Sequence, residues 1–350
     1  MVSSRSRTVD IARGIAMIAI VIGHLGVHDI NRVVFTFHLP IFFIITGYYL
    51  KTDESFEAVV KKRFRTLIVP YFLTCAAVII FAVIINILNT ILVGDGESII
   101  DVLLLWVYAS LYGAGDIYLE PYFIKDIGAI WFLWATFWGV IFVKLILKAK
   151  SPFRSVLVLI VFLVGYFSRL ICWIPLSIQA GCCGTLYIYI GTKAKDIQSD
   201  FERTSSEIKI ALLIVALAAW INFIVQFESF WLVHCDIGRG PIDIIGSLCA
   251  CYVLIVLCKA IDKGPQFISK GLALFGKYSL FALVAHDIEL NTFPWEIITT
   301  KLAELGYGLS IQLLAKTICK FIWIIAISLI FAKTNWIRRL FGIKPLNKNL

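Results

Sequence analysis

Residues 67–93 read LIVPYFLTCAAVIIFAVIINILNTILV, without one charged side chain. A helix needs about 20 apolar residues to cross the ~30 Å hydrocarbon layer of a bilayer. This run is long enough and apolar on every face, so it reads as a membrane span rather than as one flank of a soluble core. Residues 155–170, apolar up to Arg169, and 211–225 are further runs of the same kind. Over all 350 residues, 60% are hydrophobic and 16% charged, against roughly half and a quarter in soluble domains. Lipid is the solvent for most of this chain.

Hydropathy places spans near 14–30, 33–50, 66–93, 129–147, 153–170, 174–192, 209–227, 242–261, 271–290 and 310–332. The expected fold is an all-α integral membrane protein, a bundle of about ten transmembrane helices. It forms one domain over 1–350, with no internal repeat, Gly/Ser linker or low-complexity tract. The first run, Gly14 to Gly26, follows Arg5, Arg7 and Arg13 as a secretory signal would. No small-x-small cleavage site follows it and His24 interrupts its apolar end, so a retained span is expected.

The formal charge of +9 is informative through its placement. One set of connections carries Lys51, Lys61, Lys62, Arg63 and Arg65, then Lys144, Lys148, Lys150 and Arg154. It continues with Lys193, Lys195, Arg203 and Lys209, then Lys259, Lys263, Lys270 and Lys277. The termini join it through Arg5, Arg7 and Arg13, and through Lys333, Arg338, Arg339, Lys344 and Lys348. The alternate set holds Arg32, Lys125, Arg169, Arg239 and Lys301. The positive-inside bias then puts both termini in the cytoplasm of a plasma-membrane protein. The alternation also excludes a nucleic-acid surface, which needs one basic patch interleaved with stacking aromatics. Nine cysteines lie mostly inside apolar runs, without metal-ligand or disulfide spacing. Among the outer connections, 94–125 contains Asp95, Glu97, Asp116 and Glu120, and 226–241 contains Glu228, His234 and Asp236, polar content suited to a substrate vestibule.

The first span carries Asp10, Arg13 and His24. Arg13 and His24 are three helical turns apart on nearly one face, about 16 Å along the axis, and Asp10 shares that face. Ionisable residues at membrane depth face a bundle interior or a water-filled cavity, and imidazole takes a proton from a hydroxyl near neutral pH. His24 is therefore a candidate general base, the bland alternative being a core histidine bonded to a neighbouring helix. His28 lies four residues on, but with no zincin glutamate and only Asp29 nearby a metal is not expected. The second span runs from Phe35 through His38 and Pro40 to Gly47 and Tyr48. Lys62, Arg63 and Arg65 stand at the inner mouth of the third, where topogenic charge and phosphate binding are both served. Trp131 opens the fourth, and Tyr278 and Ser279 lead to His286 near the outer end of the ninth.

These blocks, in this order and over nearly the whole chain, resemble the membrane acyltransferase-3 family. The Phe37-His38-Leu39-Pro40 stretch, the phenylalanine-rich run and Thr46-Gly47-Tyr48 look most like its fucose 4-O-acetylase-related branch, with Thr46 in place of a serine. The resemblance implies transfer of an acyl group, usually acetyl, from cytoplasmic acyl-CoA to a hydroxyl of an extracytoplasmic glycan or lipid-linked sugar, as in bacterial envelope decoration. The spacing of Arg13 and His24 matches the family's catalytic pair. On this reading His24 is the base for the acceptor hydroxyl or the residue that briefly takes the acyl group. Arg13 orients the thioester or its oxyanion, and Asp10 and Arg13 hold charge along one channel face. Lys62, Arg63 and Arg65 hold CoA phosphates, and His38, Trp131 and His286 are weaker candidates for acceptor contacts. Acetyl-CoA enters as co-substrate, with no metal. The competing readings are a secondary transporter or flippase, which lacks its usual inverted repeats, and a sugar-sensing membrane domain without chemistry.

Overall fold

The computed structural model describes residues 6–345 apart from 95 and 121, so Arg5, Asp95 and Lys348 lie outside the described residues. In chain order the helices are α1 (Arg7–Gly23), α2 (His28–Val34), α3 (His38–Tyr48), α4 (Phe56–Arg63), α5 (Val69–Val93), α6 (Ile99–Tyr112), α7 (Trp131–Ile146), α8 (Ser151–Ser168), α9 (Ile178–Asp196), α10 (Gln198–Arg203), α11 (Ser206–Val225), α12 (Pro241–Lys263), α13 (Gln266–Lys277), α14 (Ser279–Thr292), α15 (Glu296–Glu304), α16 (Leu309–Lys333) and α17 (Asn335–Leu340). The only strand-like pairings among the described residues are two isolated bridges, Ala114 with Asp126 and Tyr118 with Ile124. Among the described residues six helical stretches are long and apolar enough to cross a membrane, α2 with α3 and α4 with α5 each counting as one, or seven when α13 and α14, bent at their junction, count as one span. The chain is a multi-pass helical membrane protein.

Two boundaries differ from the hydropathy reading. The expected 14–30 span stops at Gly23, because His24 caps α1 and Gly26 turns the chain at φ +73°, a conformation that costs glycine little. The 94–125 connection contains α6, whose 14 residues fall short of the about 20 that a hydropathy window seeks.

The described chain falls into two compact units, each made of discontinuous segments. The first gathers Met1–Ala58, Trp138–Trp173 and Ile178–Ser279; the second gathers Val59–Phe137, Ile174–Ser177 and Leu280–Leu350.

In the first unit α1 packs against α2, α3, α12 and α13. Its small face of Ala12, Ala16 and Ala19 meets Val34, Phe37, Ile41, Ile45, Ala250, Cys251 and Leu254 in one buried cluster. Small residues let membrane helices approach until backbones touch. A Cβ on Gly276 of α13 would stand 1.7 Å from the Asp10 carbonyl oxygen, and one on Gly14 of α1 would stand 2.4 Å from that of Leu272. The α3–α9 crossing is built in the same way, with Gly47 against the Ile188 carbonyl and Gly191 against that of Ile44.

Contacts in this unit join connections of the same charge set. Arg7 pairs with Asp262, Tyr48 donates to Gln198, and the buried Lys144 donates to the carbonyls of Thr52 (3.0 Å) and Glu54 (2.7 Å). At the opposite ends of these helices Arg32 donates to the Ile224 carbonyl at 3.0 Å, and the rings of Trp173 and His234 meet. The alternation in sequence thus corresponds to two physical ends.

The second unit contains α5, α6, α15, α16 and α17 with the first two turns of α7 and most of α14. Rings of Phe281, Phe331 and Phe341 pack α14, α16 and the turn after α17 together. The Trp323 indole donates to the Ala285 carbonyl at 3.0 Å. Gly342, past the last helix, lies beside Thr66, again joining two connections of the same charge set.

Candidate active site

Asp10 and Arg13 lie one turn apart on α1, where Gly276 brings the α13 backbone against Asp10 and leaves its side chain 8% exposed. An Arg13 guanidinium nitrogen is 3.7 Å from Asp10 Oδ1, and the guanidinium sits 5.9 Å from the centre of the Tyr49 ring. Carboxylate and ring both favour a cation there, and together they restrict where the planar guanidinium can point.

His24 is the C-cap of the same helix and its side chain is exposed. Its Nδ1 lies 2.8 Å from the Ile20 carbonyl oxygen. A carbonyl oxygen only accepts, so Nδ1 carries the proton and Nε2 of the neutral ring carries the lone pair. That is the tautomer a general base or a nucleophile needs. His28 begins α2 after the turn at Gly26, so the two histidines do not share one helical face, and no group of three or more metal-ligand side chains is found among the described residues.

Lys62 and Arg63 end α4, and Arg65 lies in the π-helical turn Phe64–Ile68 that joins α4 to α5. The cause is Pro70, which has no N–H for an i−4 bond and crowds the carbonyl at that position. One wider turn relieves the crowding, and such turns recur at functional sites. Lys62 and Arg65 are exposed and Arg63 is half-buried.

The remaining expected residues are more enclosed. His38 is buried, its Nδ1 bonded to the Val34 carbonyl at 2.8 Å and its ring 4.9 Å from that of Phe35. Trp131 is buried at the first position of α7. His286 is wholly buried in α14, with Nδ1 2.7 Å from Glu289 Oε1. Asp10, Arg13, His24 and His38 belong to the first unit; Lys62, Arg63, Arg65, Trp131 and His286 belong to the second.

The sequence reading passed over two groups in the second unit. The Lys320 ammonium, 2% exposed, lies 2.9 and 3.0 Å from the two Glu289 oxygens. The Trp295 indole also donates to Glu289. Asp287 is fully buried, and its Oδ1 accepts the Ile130 N–H at 2.8 Å, fixing the turn that starts α7. Its Oδ2 is buried with no hydrogen-bond partner among the described residues. Gly128 permits this approach, since a Cβ there would stand 2.4 Å from Asn291 Nδ2 and 2.7 Å from Asp287 Oδ1. The signal was present, because Lys320 falls in the middle of an apolar run and membrane-buried charge is a functional flag by default.

The model of the acyltransferase domain family matches residues 7–333 of this chain. No curated protein and no solved structure matches it.

Proposed function

The chain belongs to the acyltransferase-3 family of membrane acyltransferases, and from that premise we propose that it transfers an acetyl group from cytoplasmic acetyl-CoA to a hydroxyl of an extracytoplasmic glycan or lipid-linked sugar. The observation that carries the reading is the arrangement on α1. His24 presents the lone-pair tautomer at the end of the same helix that holds Arg13 against Asp10 and Tyr49. The acceptor oxygen bonds to the acyl carbon, the carbon–sulfur bond breaks, and the hydroxyl proton is lost while the departing thiolate gains one. His24 Nε2 either receives that proton or takes the acyl group and passes it on. Arg13 offers paired N–H donors to the oxyanion that develops on the thioester carbonyl. Lys62, Arg63 and Arg65 supply charge-assisted hydrogen bonds to the CoA phosphates.

Ten crossings with both termini in the cytoplasm of a bacterial plasma membrane complete the proposal. Its support is the joining of like connections within each unit, Arg7 to Asp262 and Gly342 to Thr66 among them.

Inverted vesicles given radiolabelled acetyl-CoA test the chemistry. Label is expected in the glycan or glycolipid fraction with the wild type and is lost with His24→Ala. Equal labelling by both proteins overturns the assignment of His24. Accumulation of a labelled solute without acyl transfer would favour a carrier.

A further inference from the structure

The alternate charge set holds Arg32, Lys125, Arg169, Arg239 and Lys301, and all but Arg169 find acceptors within the protein. Arg32 donates to the Ile224 and Val225 carbonyls, Lys125 pairs with Asp126, Arg239 grips Asp243 through two nitrogens, and Lys301 meets Glu304 at 2.8 Å. Arg169 is the C-cap of α8. Among the described residues its guanidinium has no ion pair and no hydrogen bond, and its Nε is buried without a partner. An arginine that is satisfied internally looks different: Arg154, near the opposite end of α8, donates to the carbonyls of Leu147 and Ala149, both at 2.9 Å.

Arg169 is held by the Tyr166 ring one turn back, with its guanidinium carbon 4.5 Å from the ring centre. A stacked guanidinium keeps its in-plane N–H groups available to an acceptor. The side chain is half-buried and close enough to Cys183 of α9 to act electrostatically on that thiol. A cation at a helix C-terminus complements the helix dipole, and an interfacial arginine can extend outward to reach water. Neither role encloses Nε without an acceptor, which leaves the desolvation of that donor uncompensated. An anion from outside the protein would supply the acceptor. Beside it, Phe167, Leu170 and Ile171 are strongly exposed apolar side chains where a membrane span ends, a flank for a hydrocarbon chain. Paired N–H donors match a phosphate, and the weak hydration of a guanidinium suits the edge of a bilayer. Phosphate and apolar chain together describe a lipid phosphate.

We propose that Arg169 binds the phosphate that joins the acceptor sugar to its lipid, so that the acceptor is a lipid-linked sugar anchored at the outer face. This rests on the acyl-transfer reading and the orientation given above. Arg169 belongs to the compact unit that carries Arg13 and His24. Its role is binding: no bond is made or broken at it, and the acyl group goes to a sugar hydroxyl.

The test gives the full chain in detergent a long-chain isoprenyl phosphate and counts bound lipid by native mass spectrometry. The competitors are the matching isoprenol, phosphatidylglycerol and inorganic phosphate. The wild type is expected to hold the isoprenyl phosphate at least about tenfold more tightly than any of the three. Arg169→Gln, checked for a monodisperse profile, loses that margin, and Arg169→Lys keeps part of it because the charge remains without the paired donors. No preference over the isoprenol, or equal binding by folded Arg169→Gln, overturns the phosphate site. Equal competition by phosphatidylglycerol or inorganic phosphate overturns the linked sugar as its occupant. If neither variant folds, the wild-type competition decides alone. In inverted vesicles with radiolabelled acetyl-CoA, label is expected in the lipid-linked fraction and falls roughly tenfold with Arg169→Gln. Label wholly in lipid-free glycan overturns the proposal and leaves the acyl-transfer reading standing. A wild type that binds the lipid phosphate but transfers no label overturns that reading and leaves the anion site.

Discussion

Three histidines have their tautomers set by what faces Nδ1. For His24 and His38 it is a carbonyl one turn back, Ile20 and Val34, each at 2.8 Å; for His286 it is the Glu289 carboxylate. The first two bonds come from helix geometry alone, since any histidine can reach the i−4 carbonyl in this way. The third requires a lysine from another helix to hold the carboxylate. Asp10→Asn removes the charge beside Arg13 while keeping the volume and the backbone contact with Gly276. A folded protein with clearly reduced acyl transfer is expected, read by the vesicle labelling assay, and full activity would show that Tyr49 suffices to position Arg13. Asp287→Ala removes the acceptor of the Ile130 N–H and should lower stability by about 1–3 kcal/mol. A lowered midpoint in thermal unfolding in detergent checks this.

Helices in this protein meet through glycines because lipid offers no hydrophobic drive for association, and close backbone packing must supply the attraction. Gly47→Val puts a branched side chain where even a Cβ would stand 1.8 Å from the Ile188 carbonyl oxygen. The α3–α9 crossing must open, so loss of the monodisperse species on size exclusion is expected, whereas Gly271→Val, with nothing within 4 Å of the added Cβ, should leave that crossing intact. The π-helical turn at Phe64–Ile68 makes a separate point. Pro70 forces one extra residue into the turn, and each residue rotates a helix by about 100°, so the turn sets the bearing of Lys62 and Arg63 relative to α5. Pro70→Ala restores the missing N–H. A raised KM for acetyl-CoA with little change in kcat is the expected outcome, and an unchanged KM would detach the turn from donor binding.

The fold as a whole separates two kinds of information. Removing one partner of the Lys320–Glu289 pair leaves an uncompensated buried charge, at a cost of roughly 3–5 kcal/mol. Lys320→Met should therefore unfold in detergent at lower temperature than the doubly neutral Glu289→Gln/Lys320→Met, and the reverse order would show that the pair is not coupled. Membrane class, most span positions and the two charge sets were legible along the chain because a bilayer imposes length and hydropathy locally, residue by residue. The candidate pair Arg13 and His24 was legible for the same reason, since both lie on one helix and the helical repeat carries one to the other. The ending of α1 at His24, the short helix α6 and the meeting of His286, Lys320 and Trp295 on the Glu289 carboxylate were not. A buried charge declares itself in sequence, but its partner stands on whichever helix the packing brings near; Lys320 and Glu289 are 31 residues apart, and only tertiary structure closes that distance.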